Sequence, residues 1–200
     1  MRFLPSLPDE TNLSDVFQRF PKGVGALLDY HDAILRGPSP LTIGERELIA
    51  AYVSGLNACR FCYGAHSTYA EAYGIDIAVF DALFTDLETA PVDARMKPVL
   101  RYAAKLTQAP HKLVKADVDA ILDAGWPEEA VHDAAVATAL FNFMNRLIFG
   151  LGVADHAHVF AARHEDNQKK PLAARRAAND AALGTAPYKD YGRRLGVIKD

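Results

Sequence analysis

Cys59 and Cys62 are the only cysteines in the chain, and their spacing is C-x-x-C. His66 follows four residues after Cys62, and Glu47 lies twelve residues before Cys59. A C-x-x-C pair closes an internal disulfide with little backbone movement. The thiolate is the reactive form of cysteine, and the positive end of a helix favours it. An imidazole one turn further on is placed to take a proton from Cys62, directly or through water. Those residue types at that spacing describe a thiol redox centre, with Cys62, Cys59, His66 and Glu47 as candidate site residues.

The elements must bring these groups together. Positions i, i+3 and i+7 share one face of a helix, so a helix from Cys59 to about Tyr73 puts both sulfurs and the His66 ring in one small volume. Gly74 suits the left-handed stop of that helix. Thr42 and Glu45 fit a capping box, which starts a preceding helix running to about Gly55. If the two helices form an antiparallel hairpin, Glu47 meets His66 and orients it. Glu45 competes for that role, but capping occupies its side chain. Two other readings of the motif stay open: a pair of small core residues, and a zinc site from Cys59, Cys62, His66 and Glu47. Structural zinc sites usually draw on two separated pairs, and the chain has one. A thioredoxin-type domain lacks its βαβ pattern here.

The rest of the chain reads as helical scaffold. Ser14 is expected to cap a short helix over residues 15–20, followed by helices near 24–35, 76–84, 93–108, 116–124, 127–149 and 155–164. No stretch alternates as a strand would. The expected fold is an all-α, single-domain bundle of about eight helices. Its divisions are 1–20 (an extended segment and short helix), 21–165 (the helical domain) and 166–200 (a basic arm). From Arg163 to Asp200 there are nine Lys or Arg against five Asp or Glu, while the whole chain carries −3. The pI of about 6.2 suggests no nucleic-acid partner. No apolar run is long enough for a bilayer and no secretory signal is visible, so a cytoplasmic location and no membrane partner are expected. Thiols there stay reduced, which favours a catalytic or metal-binding pair over a structural disulfide.

The pattern Glu47-x11-Cys59-x-x-Cys62-x3-His66 resembles the core of the alkylhydroperoxidase D / carboxymuconolactone decarboxylase family, its peroxidase-related members above all. Leu48-Ile49-Ala50 and Phe141-Asn142-Phe143-Met144-Asn145-Arg146, followed by Gly150-Leu151-Gly152-Val153, extend the likeness over roughly residues 20 to 155. The resemblance implies an alkylhydroperoxidase D-like helical fold, homo-oligomers (dimer, trimer or hexamer) and no metal, haem or other bound cofactor. It also implies roles. Cys62 attacks a hydroperoxide and becomes a sulfenic acid, and Cys59 resolves it as a disulfide. An external dithiol, a reductant protein or small thiol with lipoyl groups as one candidate, reduces the disulfide. His66 and Glu47 form the proton relay. The residue before the second cysteine is histidine in alkylhydroperoxidase D and Phe61 here. Asn142, Asn145 and Arg146 are expected either at the site, at an intersubunit contact or in packing. Two other functions remain: a non-enzymatic redox-responsive binding protein, and a decarboxylase-type lyase using His66 and Glu47.

Overall fold

The computed structural model describes residues 3–183 and 186–198. Among these residues there are eleven α-helices and no strand. They are α1 Leu13–Arg19, α2 Val24–Arg36, α3 Ile43–Leu56, α4 Arg60–Ala72, α5 Ala78–Thr85, α6 Met96–Gln108, α7 Lys115–Asp123, α8 Glu128–Gly150, α9 Ala157–Gln168, α10 Leu172–Leu183 and α11 Pro187–Arg194. A single 3₁₀ turn, Pro110–Lys112, links α6 to α7.

Helix α3 runs through the centre. Gly44 and every residue from Arg46 to Ser54 are buried, so it has no solvent face and packs on α4, α6 and α8. Its start is the expected capping box: the Glu45 amide donates to Thr42 Oγ1 and the Thr42 amide to Glu45 Oε2. Its end sets the site. The Ala58 amide returns to the Gly55 carbonyl, and the Cys59 amide to that of Ser54. This is the two-bond left-handed helix stop, usually built on glycine. Here Ala58 holds the left-handed conformation, with φ +56, at a strain of about 1–2 kcal/mol. The turn is tied down from α8, since Asn57 Nδ2 donates to the side chains of Asn142 and Asn145.

Helices α4 and α9 run side by side in the same direction. Phe61 packs on Phe160, Ser67 meets His164, and Asn167 bonds the Thr68 carbonyl. Gly64 permits this approach, because a Cβ there would sit 2.4 Å from Phe160 Cδ2. Glu71, fully buried on α4, fastens the pair. It accepts hydrogen bonds from His164, Asn167 and Gln168, with Arg175 of α10 nearby. Schellman-type closure at Gly74 (φ +103) ends α4 as expected.

Two expectations need correction. Asn12, not Ser14, caps α1, with Asp15 accepting from its amide. The helix count exceeds eight chiefly because the basic stretch after residue 165 is helical. Tyr188, Tyr191, Leu195 and Ile198 recur at helical spacing and join Val16, Phe17, Val24 and Leu28 in a second apolar cluster. Asp32 of α2 caps α11, accepting from the Tyr188 and Lys189 amides. No helix among the described residues is long and apolar enough to cross a membrane.

Candidate active site

The helical hairpin α3–α4 brings together the residues expected at the site. Cys59 is the N-cap of α4 rather than its first helical residue, and Cys62 lies in the first turn. Both are buried and unbridged, at 1% and 3% exposure. His66 is 7% exposed and Glu47 fully buried. His66 Nδ1 and Glu47 Oε2 are 2.5 Å apart. Glu45 stays at the helix end on its capping bonds. Among the described residues no group of three or more His, Cys, Asp or Glu side chains is arranged to hold a metal ion.

The two thiols differ sharply. Cys59 is brought down to about 7, first by a hydrogen bond from the Cys62 thiol, then against burial by the backbone N–H groups of Cys62 and Phe61 and by Asn145. An N-cap residue is where the free amides of a helix converge. Cys62 is pushed well up by that same hydrogen bond, by burial and by the charge on Cys59. The acidity of the pair therefore lies with Cys59, beside a Cys62 that holds its proton. Geometry divides the two the other way: Cys62 opens into a cavity that Cys59 does not line. The pair thus stores its charge on the inner sulfur and presents the outer one.

This arrangement sets an expected titration. Thiolate absorbance should rise near pH 7 in the wild type and in Cys62→Ser, whose hydroxyl still donates. In Cys62→Ala the donor is gone, and the Cys59 midpoint should move up towards its ordinary value. An unmoved midpoint in Cys62→Ala would assign the acidity to the helix end alone.

Sequence reasoning missed Arg36. It reaches from the end of α2 to within 2.5 Å of Glu47 Oε1 with only 7% of its side chain exposed. Burial alone would raise Glu47, but the Arg36 guanidinium and His66 outweigh it and hold the carboxyl below its usual range. The rings of Tyr69, Tyr73 and Tyr188 surround Arg36 at 5.6–6.0 Å. The result is a buried series, Arg36–Glu47–His66, that ends beside Cys62. Nothing local announces it, because Arg36 and Glu47 meet only when α2 folds against α3.

Of the polar residues on α8, Asn145 belongs to the site. It is 1% exposed, donates to Ser54 Oγ at 3.0 Å, and its amide lowers both thiols. Asn142 anchors the turn, and also donates to Thr107 and the Thr138 carbonyl. Arg146 is exposed and bonds back to Asn142. Phe141 is fully buried, with the His66 ring edge-on at 4.3 Å. Phe61 lines the cavity and meets His156 and Phe160 edge-on.

The cavity holds about 320 Å³. Leu28, Phe141, Met144 and Phe160 give it apolar walls, and Tyr188 and Tyr191 of α11 complete one side. The chain segment expected to be a separate arm is therefore a wall of the site.

No family model matches the chain, and no curated protein matches it. Solved structures do. One, described as an alkylhydroperoxidase AhpD core and an uncharacterized peroxidase-related protein from Ralstonia eutropha JMP134, is 29% identical with a TM-score of 0.67, over 73% of this chain and 77% of its own. Another, an uncharacterized peroxidase-related protein from Silicibacter sp. TM1040, is 28% identical with a TM-score of 0.65, over 70% and 73%. In fold the chain is similar to these alkylhydroperoxidase-core and peroxidase-related structures, the likeness that residues 45 to 74 imply.

Proposed function

We infer that the protein is a thiol-dependent, peroxidase-like oxidoreductase that reduces hydrogen peroxide or organic hydroperoxides through a Cys59–Cys62 disulfide cycle. The observation that carries this reading is a C-x-x-C pair whose outer thiol shares a cavity with a histidine held by a buried carboxylate. The peroxidase-related names of the structural neighbours support it.

The proposed steps make use of that geometry. Glu47 is kept anionic by Arg36, so His66 keeps its Nδ1 hydrogen on Glu47 and offers Nε2 as the base. His66 takes the Cys62 proton with Cys59 in its thiol form, because a charged Cys59 holds that proton on Cys62. The thiolate sulfur attacks the terminal oxygen of the hydroperoxide and the O–O bond breaks. Cys62 becomes a sulfenic acid, and the departing alkoxide collects the proton from His66 to leave as an alcohol. The Cys59 thiolate, already available near neutral pH, attacks the oxidised sulfur. The disulfide forms, and the hydroxyl leaves as water with a proton drawn from solvent. An external dithiol then reduces the disulfide by exchange, becoming a disulfide itself. In this scheme no bound cofactor takes part, and the high acidity of Cys59 fits the resolving role. By its resemblance to the alkylhydroperoxidase D family, the chain acts as a homo-oligomer.

The test is peroxide consumption with a panel of dithiols, lipoyl compounds included. Wild type should turn over with at least one of them. Cys62→Ser should lose activity by at least a hundredfold, the scale on which a missing nucleophile is felt. Wild-type turnover in Cys62→Ser would exclude the mechanism. Turnover of a lactone acid that survives both cysteine substitutions would point to the lyase instead.

A further inference from the structure

The cavity has a charge pattern the proposed chemistry does not use. Among the described residues no Asp, Glu or Lys side chain lines it, in a chain whose net charge is −3. The permanently charged residues among those described are Arg163 of α9 and Arg194 of α11, both exposed. Neither makes an ion pair among the described residues. Arg163 donates towards the Tyr69 hydroxyl, countering the burial that raises that phenol.

The helices order the cavity from end to end. Along α4, Phe61 and Cys62, then Ala65 and His66, then Tyr69 face into it. From Cys62 to Tyr69 is about 10 Å of helix rise. Cys62 marks the inner end, and Tyr69 with Arg163 marks the other. Helix α11 adds Tyr188, whose hydroxyl is buried, and exposed Arg194 to the lining. Between the two ends Leu28, Phe141 and Met144 give apolar wall, with His31 and His66 set among them. A further polar group faces the same space. His156 holds the left-handed conformation (φ +49), lines the cavity beside Phe61, and has a buried Nε2 with no hydrogen-bond partner. An orphaned buried nitrogen calls for a ligand or water to bond it. At the roughly 30 Å³ a water takes in the liquid, 320 Å³ admits about ten non-hydrogen atoms.

We propose that the cavity takes an anionic amphiphile, a carboxylate-bearing organic hydroperoxide of medium chain length. Its hydroperoxide end lies at Cys62, its chain against Phe141, Met144 and Phe160, and its carboxylate at Arg163 and Arg194. Two cations above low-dielectric walls attract anions and draw them in, and guanidinium is the side chain best shaped for carboxylate. The hydroperoxide part of this assignment rests on the peroxidase reading; the ligand class does not.

The experiment therefore begins with binding. The reduced full-length protein is titrated calorimetrically with octanoate, octan-1-ol and octylammonium. Octanoate should bind at least tenfold more tightly than octan-1-ol, and octylammonium more weakly than either. R163Q/R194Q, checked for helical content, should bring octanoate down to the octan-1-ol affinity. Octanoate should also slow alkylation of Cys62. Equal affinities for the three ligands, a preference surviving R163Q/R194Q, or unprotected Cys62 would each overturn the proposal. Hydroperoxides with and without a carboxylate are then compared in turnover. If octanoate binds as expected and neither hydroperoxide is consumed, the peroxidase reading fails and the ligand class stands. If both are consumed equally and octanoate shows no preference, the ligand class fails and the peroxidase stands.

Discussion

Replacing Arg36 with methionine is expected to destabilise the protein by about 3–5 kcal/mol, the scale of leaving one member of a buried ion pair alone. Glu47 is fully buried and its Oε1 faces Arg36. Without the guanidinium only His66 remains to compensate its charge. The carboxyl would then follow its burial upwards and hold a proton at neutral pH. The double variant Arg36→Met/Glu47→Gln should recover a large part of the loss, because it removes the orphaned charge with its partner. Denaturant midpoints of the wild type, both single variants and the double variant give the coupling. A loss below about 1 kcal/mol in Arg36→Met would mean that His66 alone sustains Glu47. Activity should fall alongside, since a neutral Glu47 no longer fixes the His66 tautomer.

Acid should destabilise the protein through a second histidine. His31 is buried on α2, bonded to the Leu27 carbonyl at 2.8 Å, with the Tyr188 ring at 4.9 Å. Burial lowers it from 6.5 to about 4, against the raising effect of the Leu27 carbonyl, with the nearby His66 adding to the depression. Between those two values the unfolded chain binds a proton that the folded chain refuses. Stability is therefore complete above about pH 6.5 and declines as pH falls towards 4, by about 3 kcal/mol from this group. His31→Phe keeps a ring in the place and removes the titration. The difference in unfolding free energy between pH 7 and pH 4 should shrink by about that amount. An unchanged pH dependence would mean that His31 is protonated in the folded state.

Residues 42 to 74 could be read far ahead because their structure is local. The capping box needs only Thr42 and Glu45, and the grouping of Cys62 with His66 needs only helical spacing. Glu47 with His66 required one more assumption, an antiparallel hairpin, which the α3–α4 packing meets. Where partners come from distant helices, the sequence was silent. Arg36 reads as an ordinary helix-end cation until α2 docks. Asn145 reads as an awkward polar group in an apolar helix until Ser54, Asn57 and the cysteines surround it. The stretch from Pro187 to Ile198 was read by its charge, and its four apolar positions at helical spacing were passed over. Helical spacing reads Cys59 as the first residue of the helix, whereas it is the N-cap, where backbone N–H groups add to the effect of the Cys62 thiol in lowering it.

The wall formed by α11 also has a bearing on how the protein is made. Tyr188 is translated roughly 130 residues after Cys62. At about 5–20 residues per second, on the order of ten seconds pass between them. During that interval the dithiol exists without the aromatic wall that later screens it. A nascent chain meeting an oxidant in that interval would form its disulfide outside the control of the cavity.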